Sequence, residues 1–237
     1  MKADRLAQRG RTRAPLAFVA ALICAGLAAG CATPPTSRFY TLGPGGETAA
    51  RAASPTAAPA FLIEVPTVEV PAQVARNQLV VQDDATRVTV LEQERWASPP
   101  ADELRRALSG DLAARLGTFD VFGSPHPENV PVYRVAVNVR RFESWPGSHA
   151  VLDAVWSVRS LRTQTVVTCH TVRTETVGAG YDALVAGHRR AIGQLADTIA
   201  STVRTLASGG GAPALGTNEC ASGGPATAKE SERARVQ

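Results

Sequence analysis

The chain has 237 residues, with 25 Lys+Arg against 21 Asp+Glu. Five of those bases (Lys2, Arg5, Arg9, Arg11, Arg13) and one acid (Asp4) lie at the extreme N-terminus, so the chain beyond position 30 carries 20 of each sign. A body this close to neutrality lacks the basic face that nucleic-acid binding requires, and its roughly 205 residues suffice for one core or two small ones.

The basic segment is followed by an apolar run over residues 14–29, with Leu16, Phe18, Val19, Leu22, Ile23 and Leu27, and then by small residues. That order is the pattern of a secretory signal peptide. The run falls short of the ~20 residues of a transmembrane helix, and Pro15 stands at its start, where proline does little harm. It ends in Leu27-Ala28-Ala29-Gly30-Cys31, which resembles the lipobox of bacterial lipoproteins. In a lipobox the cysteine becomes the first mature residue, and its thiol and freed amine are acylated. Ala28 stands where leucine is commonest. The other reading is an ordinary signal peptide followed by a chance cysteine. Two or three acyl chains on Cys31 make an effectively permanent anchor, where one chain binds only reversibly. Ala32, in place of aspartate, resembles an outer-membrane address as sorting is known in enteric bacteria. No later apolar run is long enough to span a bilayer.

Residues 33–37 read as a polar tether, and Arg38-Phe39-Tyr40-Thr41-Leu42 as a first strand. Residues 43–60, rich in Gly, Ala, Pro and Ser, read as a flexible loop. Strands are expected at 61–65, 78–81 and 87–91, with Asp83-Asp84 turning the last two into a hairpin. Ser98-Pro99-Pro100-Ala101-Asp102-Glu103 is a helix start: Ser98 as cap, Pro99 in the first helical position, two acids at the positive end of the dipole. Leu104, Leu108, Leu112 and Leu116 then fall on one stripe, and Gly117 ends the helix.

A long strand is expected at 132–142, with Tyr133, Val135, Val137 and Val139 on one face. Two more follow, through Leu152, Ala154, Trp156 and Val158 and across 166–177, as an antiparallel meander. A second amphipathic helix covers 181–206, with Leu184, His188, Ile192, Leu195, Ile199, Val203 and Leu206 on its apolar side. The pattern predicts an α+β fold: a mostly antiparallel sheet with two amphipathic helices packed on one face. In domains, it divides into a signal peptide at 1–30, a lipidated tether, first strand and flexible loop at 31–60, an α+β domain at 61–207 and a disordered tail at 208–237.

Cys24 leaves with the signal peptide. Cys169 and Cys220 then remain, in an oxidising compartment, as either one disulfide or two unpaired thiols. No catalytic signature is present: no G-x-S-x-G elbow, no P-loop, no histidine pair at metal spacing. His126, His149, His170 and His188 are scattered. Cys169 and His170 are neighbours in a strand and point to opposite faces. The chain is therefore expected to be no enzyme and to use no metal or cofactor. Trp145, at a hairpin tip beside Pro146 and Gly147, is the candidate interface residue. It either folds back onto its own sheet or meets a partner or a lipid headgroup. Trp96 is expected to staple the first helix to the core, and Trp156 to lie within it.

In their order and spacing, several segments resemble one family. They are Cys31 followed by Arg38-Phe39-Tyr40-Thr41-Leu42; Val70-Pro71 before Arg76-Asn77-Gln78-Leu79-Val80; and Glu94-Arg95-Trp96-Ala97 before the first helix. Later come Phe142-Glu143, Ala150-Val151-Leu152-Asp153-Ala154 with Trp156, and Tyr181-Asp182-Ala183-Leu184-Val185. This series looks like the auxiliary lipoproteins of ABC-type lipid transporters, the group that includes paraquat-inducible protein C. The resemblance runs from Cys31 to about Leu206. It implies a non-enzymatic subunit whose lipid anchor fixes it to one membrane; with the address read from Ala32, that membrane is expected to be the outer one, with the protein facing the periplasm. Such a subunit docks a phospholipid conduit built of MCE-domain membrane proteins, and a homo-oligomer to match their rings is a further implication. A general envelope lipoprotein that binds peptidoglycan or an assembly machine is the alternative.

Overall fold

A computed structural model describes residues 36–43, 58–210 and 219–223. Among these residues, eight strands and two helices follow in the order β1 (Arg38–Tyr40), β2 (Leu62–Glu64), β3 (Gln78–Gln82), β4 (Val88–Trp96), α1 (Pro100–Leu116), β5 (Val132–Trp145), β6 (His149–Ser160), β7 (Val166–Thr176), α2 (Tyr181–Ala207) and β8 (Glu219–Gly223). The fold is α+β, and its sheets are mostly antiparallel.

Five strands form the larger sheet in the order β2-β5-β6-β7-β8, and three form the smaller in the order β1-β4-β3. The meander β5-β6-β7 is antiparallel, as the alternation predicts. The parallel pairs are at sheet edges, β1 beside β4 and β2 beside β5. Asp83 and Asp84 do turn β3 into β4: both amides donate to the Arg87 carbonyl.

The two helices share one apolar layer with the inner face of the large sheet. Leu104 and Leu108 of α1, Ile192 and Leu195 of α2, and Val137, Val139 and Leu152 of the sheet close around a void of about 10 Å³. Helix α2 approaches the sheet closely at Gly187, where a Cβ would lie 2.3 Å from Val177 Cγ1. A side chain there would force Val177 or the helix to shift.

Two local features depart from expectation. Strand β5 extends to Trp145 because a bulge between Val139 and Arg141 changes the phase of its pleat. Buried positions run 133, 135, 137, 139 before it and 142, 144 after it, since an extra residue hands the next side chains to the opposite face. Ser98 does not cap α1. The N-cap is Pro99, in extended conformation, and Pro100 takes the first helical position. The Ser98 hydroxyl donates to Glu103 instead. At the other end, Gly117 closes α1 in the left-handed conformation with φ 63°, as its position in the sequence predicts.

The stretch expected to be a disordered tail contains a strand. Residues 219–223 pair antiparallel with β7 as β8, with Cys220 opposite Cys169, and the two cysteines form a disulfide. They end an inward-facing row of Val137, Trp156, Cys169 and Cys220 across four strands. Glu-Cys-Ala-Ser-Gly has no strand pattern of its own, so the crosslink supplies what propensity does not. Chain-entropy reasoning sets the limit for a bond spanning 51 residues at about 4 kcal/mol. Because β8 is an edge strand, Cys220→Ser is expected to lower stability by about 2 kcal/mol, roughly 4–8 °C in Tm. Thermal melts of the oxidised wild type and the variant measure this, and an unchanged midpoint would show that β8 docks without contributing.

Candidate functional site: the anchor junction and the hairpin tip

Cys31, the expected lipidation site, lies outside the described residues. What the structure describes is the point at which the chain leaving it enters the body. Two buried glutamates hold that point. Glu94 of β4 accepts from Arg38 Nη2 at 2.6 Å and from the Tyr40 hydroxyl at 2.6 Å. Glu103 of α1 accepts from Thr41 Oγ1 and the Leu42 amide, both at 2.8 Å, and from Ser98 and Arg106. The segment 38–42 is thereby fixed to both β4 and α1.

The charges are matched to this task. Burial pushes the Glu94 carboxyl up, but the hydrogen bonds from Tyr40 and Arg38 outweigh it and hold it below the ordinary glutamate value. Burial also opposes ionisation of Glu103; the donors Ser98, Leu42 and Thr41, and the Arg106 charge, again win. Burial and the adjacent Glu94 carboxylate push the Tyr40 phenol up to about 12. Tyr40 is therefore a hydrogen-bond donor throughout the physiological range. Sequence reading assigns Glu103 to the helix dipole and quotes Glu94 only within a family segment, with no role of its own. The signal available was the pair of acids bracketing Trp96 and the helix start, but their partners lie 54 to 62 residues away.

Trp145 ends β5 at the hairpin tip, where Gly147 takes φ 69°. Its ring stacks on His149, its cross-strand neighbour, with centroids 5.4 Å apart and planes at 16°. Its indole N–H donates to Glu143 Oε2 at 3.2 Å. Arg141, which donates to both Glu143 oxygens, and the Trp145 bond hold that carboxyl below its ordinary value despite burial. The ring thus folds back along the outer face of its own sheet while staying half-exposed.

Trp96 and Trp156 are core residues at 3% and 1% exposure. Trp96 packs against Phe142 and His188, close to the start of α1. His188, buried in α2, stacks on Phe142 and shares a hydrogen bond of 2.8 Å with Ser144. Burial alone pushes its pKa down to about 3. His170 bonds Asp153 at 2.8 Å on the outer face. No group of three His, Cys, Asp or Glu side chains among the described residues is arranged to hold a metal ion. The void between helices and sheet is far below the ~300 Å³ at which ligand pockets begin. No helix among the described residues is long and apolar enough to cross a membrane.

The profile of the family described as "ABC-type transport auxiliary lipoprotein component" matches residues 40–200. No curated protein matches the chain. Among solved structures, one described only as an uncharacterized protein is 20% identical, with a TM-score of 0.56, over 71% of this chain and 99% of that one. A protein from Xanthomonas campestris is also 20% identical, with a TM-score of 0.46, over 65% of this chain and 92% of its own. The first likeness is one of fold. The match over residues 40–200 covers both glutamates of the junction, the hairpin tip and most of α2.

Proposed function

Since the chain belongs to the ABC-type transport auxiliary lipoprotein components, we propose that it is the lipid-anchored subunit that docks an MCE-type, ABC-driven phospholipid transport system at the outer membrane. The observation that carries this reading is the family match. The anchor junction supports it: an adaptor is useful only if its body is firmly joined to its anchor, and Glu94 and Glu103 make that joint. In this reading the protein catalyses nothing. It supplies position and binding surface, and an ATPase elsewhere supplies the drive.

Crosslinking in intact cells followed by purification is expected to recover an MCE-domain protein. Its absence, under conditions that capture other envelope complexes, would overturn the docking role, and retention on peptidoglycan sacculi would favour a wall-binding lipoprotein instead. Cys31→Ala is expected to move the protein from the membrane fraction to the soluble periplasm or to leave it unprocessed. Normal membrane retention of that variant would refute the anchor. Ala32→Asp is expected to shift the protein towards the inner membrane on a density gradient, and an unchanged position would remove the basis for the outer-membrane assignment.

A further inference from the structure

The body has two ends that carry exposed aromatic rings. At one, Phe119 and Phe122 are exposed in the loop after α1, with Arg105 over the Phe122 ring. The C-terminus of α2 is at this end too, where Arg204 donates to the Arg115 carbonyl. At the other end are β1, the tip of the β5–β6 hairpin and the start of α2. Asp182, in the first turn of α2, acts electrostatically on both Arg38 and Tyr40 of β1. The Val177 amide, just ahead of α2, donates to the Ser148 carbonyl in the hairpin tip. This second end bears Phe39, 66% exposed, the half-buried Trp145, and Arg38, whose side chain is 63% exposed.

Chain length distinguishes the two ends. Six peptide units separate Cys31 from Ser37 and span at most about 21 Å. Helix α1, which starts beside β1 and ends at the loop that carries Phe119, has 17 residues, a length of about 26 Å. Seated on the anchoring membrane, the Phe119 end would leave Ser37 about one helix length away, beyond the reach of that link. The β1 end is within reach.

The geometry points to a second membrane contact at the β1 end: this end rests on the headgroup layer of the membrane that holds the acyl chains, with Trp145 and Phe39 in the interface, while Arg38 stays paired with Glu94. The inference rests on the anchor reading of Cys31. Its chemistry is that of interfacial residues in general. Tryptophan offers an apolar ring with one polar N–H and is enriched at headgroup depth. Trp145 presents a ring with one face on His149, while the exposed part remains free for lipid. Phe39 points away from the core because its neighbour Tyr40 points in, and a strand alternates.

The protein carries its own probe. Of its 3 tryptophans, Trp96 and Trp156 are buried, so shallow quenchers report Trp145. The test uses the full acylated protein on vesicles of phosphatidylethanolamine and phosphatidylglycerol, with a fraction of the lipid brominated near the headgroup. Flotation reports the anchor and fluorescence reports the contact. The expected result is a loss of roughly one-third of the tryptophan emission, the share of one residue in three. The loss is expected to be absent in Trp145→Phe and reduced in Phe39→Ser. Protein that floats with the vesicles and shows no quenching would overturn the contact while leaving the anchor intact. Protein that does not float would overturn the anchor reading, and the contact with it.

Discussion

Glu103→Gln is expected to lower folding stability by about 3 kcal/mol, the upper end of the cost of leaving buried hydrogen-bonding groups unpaired. Four donors converge on the two oxygens of this fully buried carboxylate. Glutamine offers one acceptor oxygen and turns an N–H₂ group towards donors, so buried groups are left unpaired on both sides. The Leu42 amide is the diagnostic one, because its hydrogen bond is made to the side chain rather than to a neighbouring strand. Hydrogen exchange at Leu42 is expected to accelerate well beyond the global change in stability, while the amides of β6 accelerate only by that global change. Uniform acceleration would mean that the junction does not open locally. The native carboxyl is held below its unfolded value, so its contribution is complete above about pH 4.5 and disappears as pH falls through the lowered folded value.

Stability is expected to fall already at milder acidity, and His188 is the cause. Burial holds its folded pKa at about 3 against 6.5 for an exposed imidazole. Between these values the unfolded chain takes up a proton that the folded chain refuses, so unfolding is favoured as pH falls below 6.5. The slope is about 1.4 kcal/mol per pH unit, which gives roughly 3 kcal/mol by pH 4.5. This window precedes the one in which Glu94 and Glu103 lose their charge, so the two effects separate on the pH axis. His188→Leu carries a fixed cost for the unpaired Ser144 hydroxyl, but its stability is expected to be flat between pH 6.5 and 4.5. Denaturant midpoints at those two pH values measure the difference. A wild-type midpoint that does not move would refute the assignment to His188.

Most of the elements were legible because their signals are local. The leucine stripe of α1 and its Gly117 stop, the alternation of β6, and the apolar side of α2 each repeat with the period of the structure they form. The features that went unread depend on distant partners. The β5 alternation through Val139 gives no notice of the bulge that carries Phe142 and Ser144 onto His188. Ser98 has the chemistry of a cap, but an adjacent proline takes the cap position and a buried carboxylate takes its hydroxyl. β8 exists because Cys220 is bonded to Cys169, and its five residues alone read as tail. For Trp145 the sequence left two possibilities, and the stacking on His149 realises the first without using the whole ring.

The anchor junction has a mechanical consequence. Tension on the lipid end enters the body at Ser37 and runs lengthwise along β1. The hydrogen bonds to β4 and the ion pair of Arg38 with Glu94 are loaded side by side in shear, rather than opened one at a time as in unzipping. What remains of the force passes through Thr41 and Leu42 into Glu103 and the first turn of α1. A pull on the membrane side is therefore received by one strand end and two carboxylates before it reaches the rest of the body.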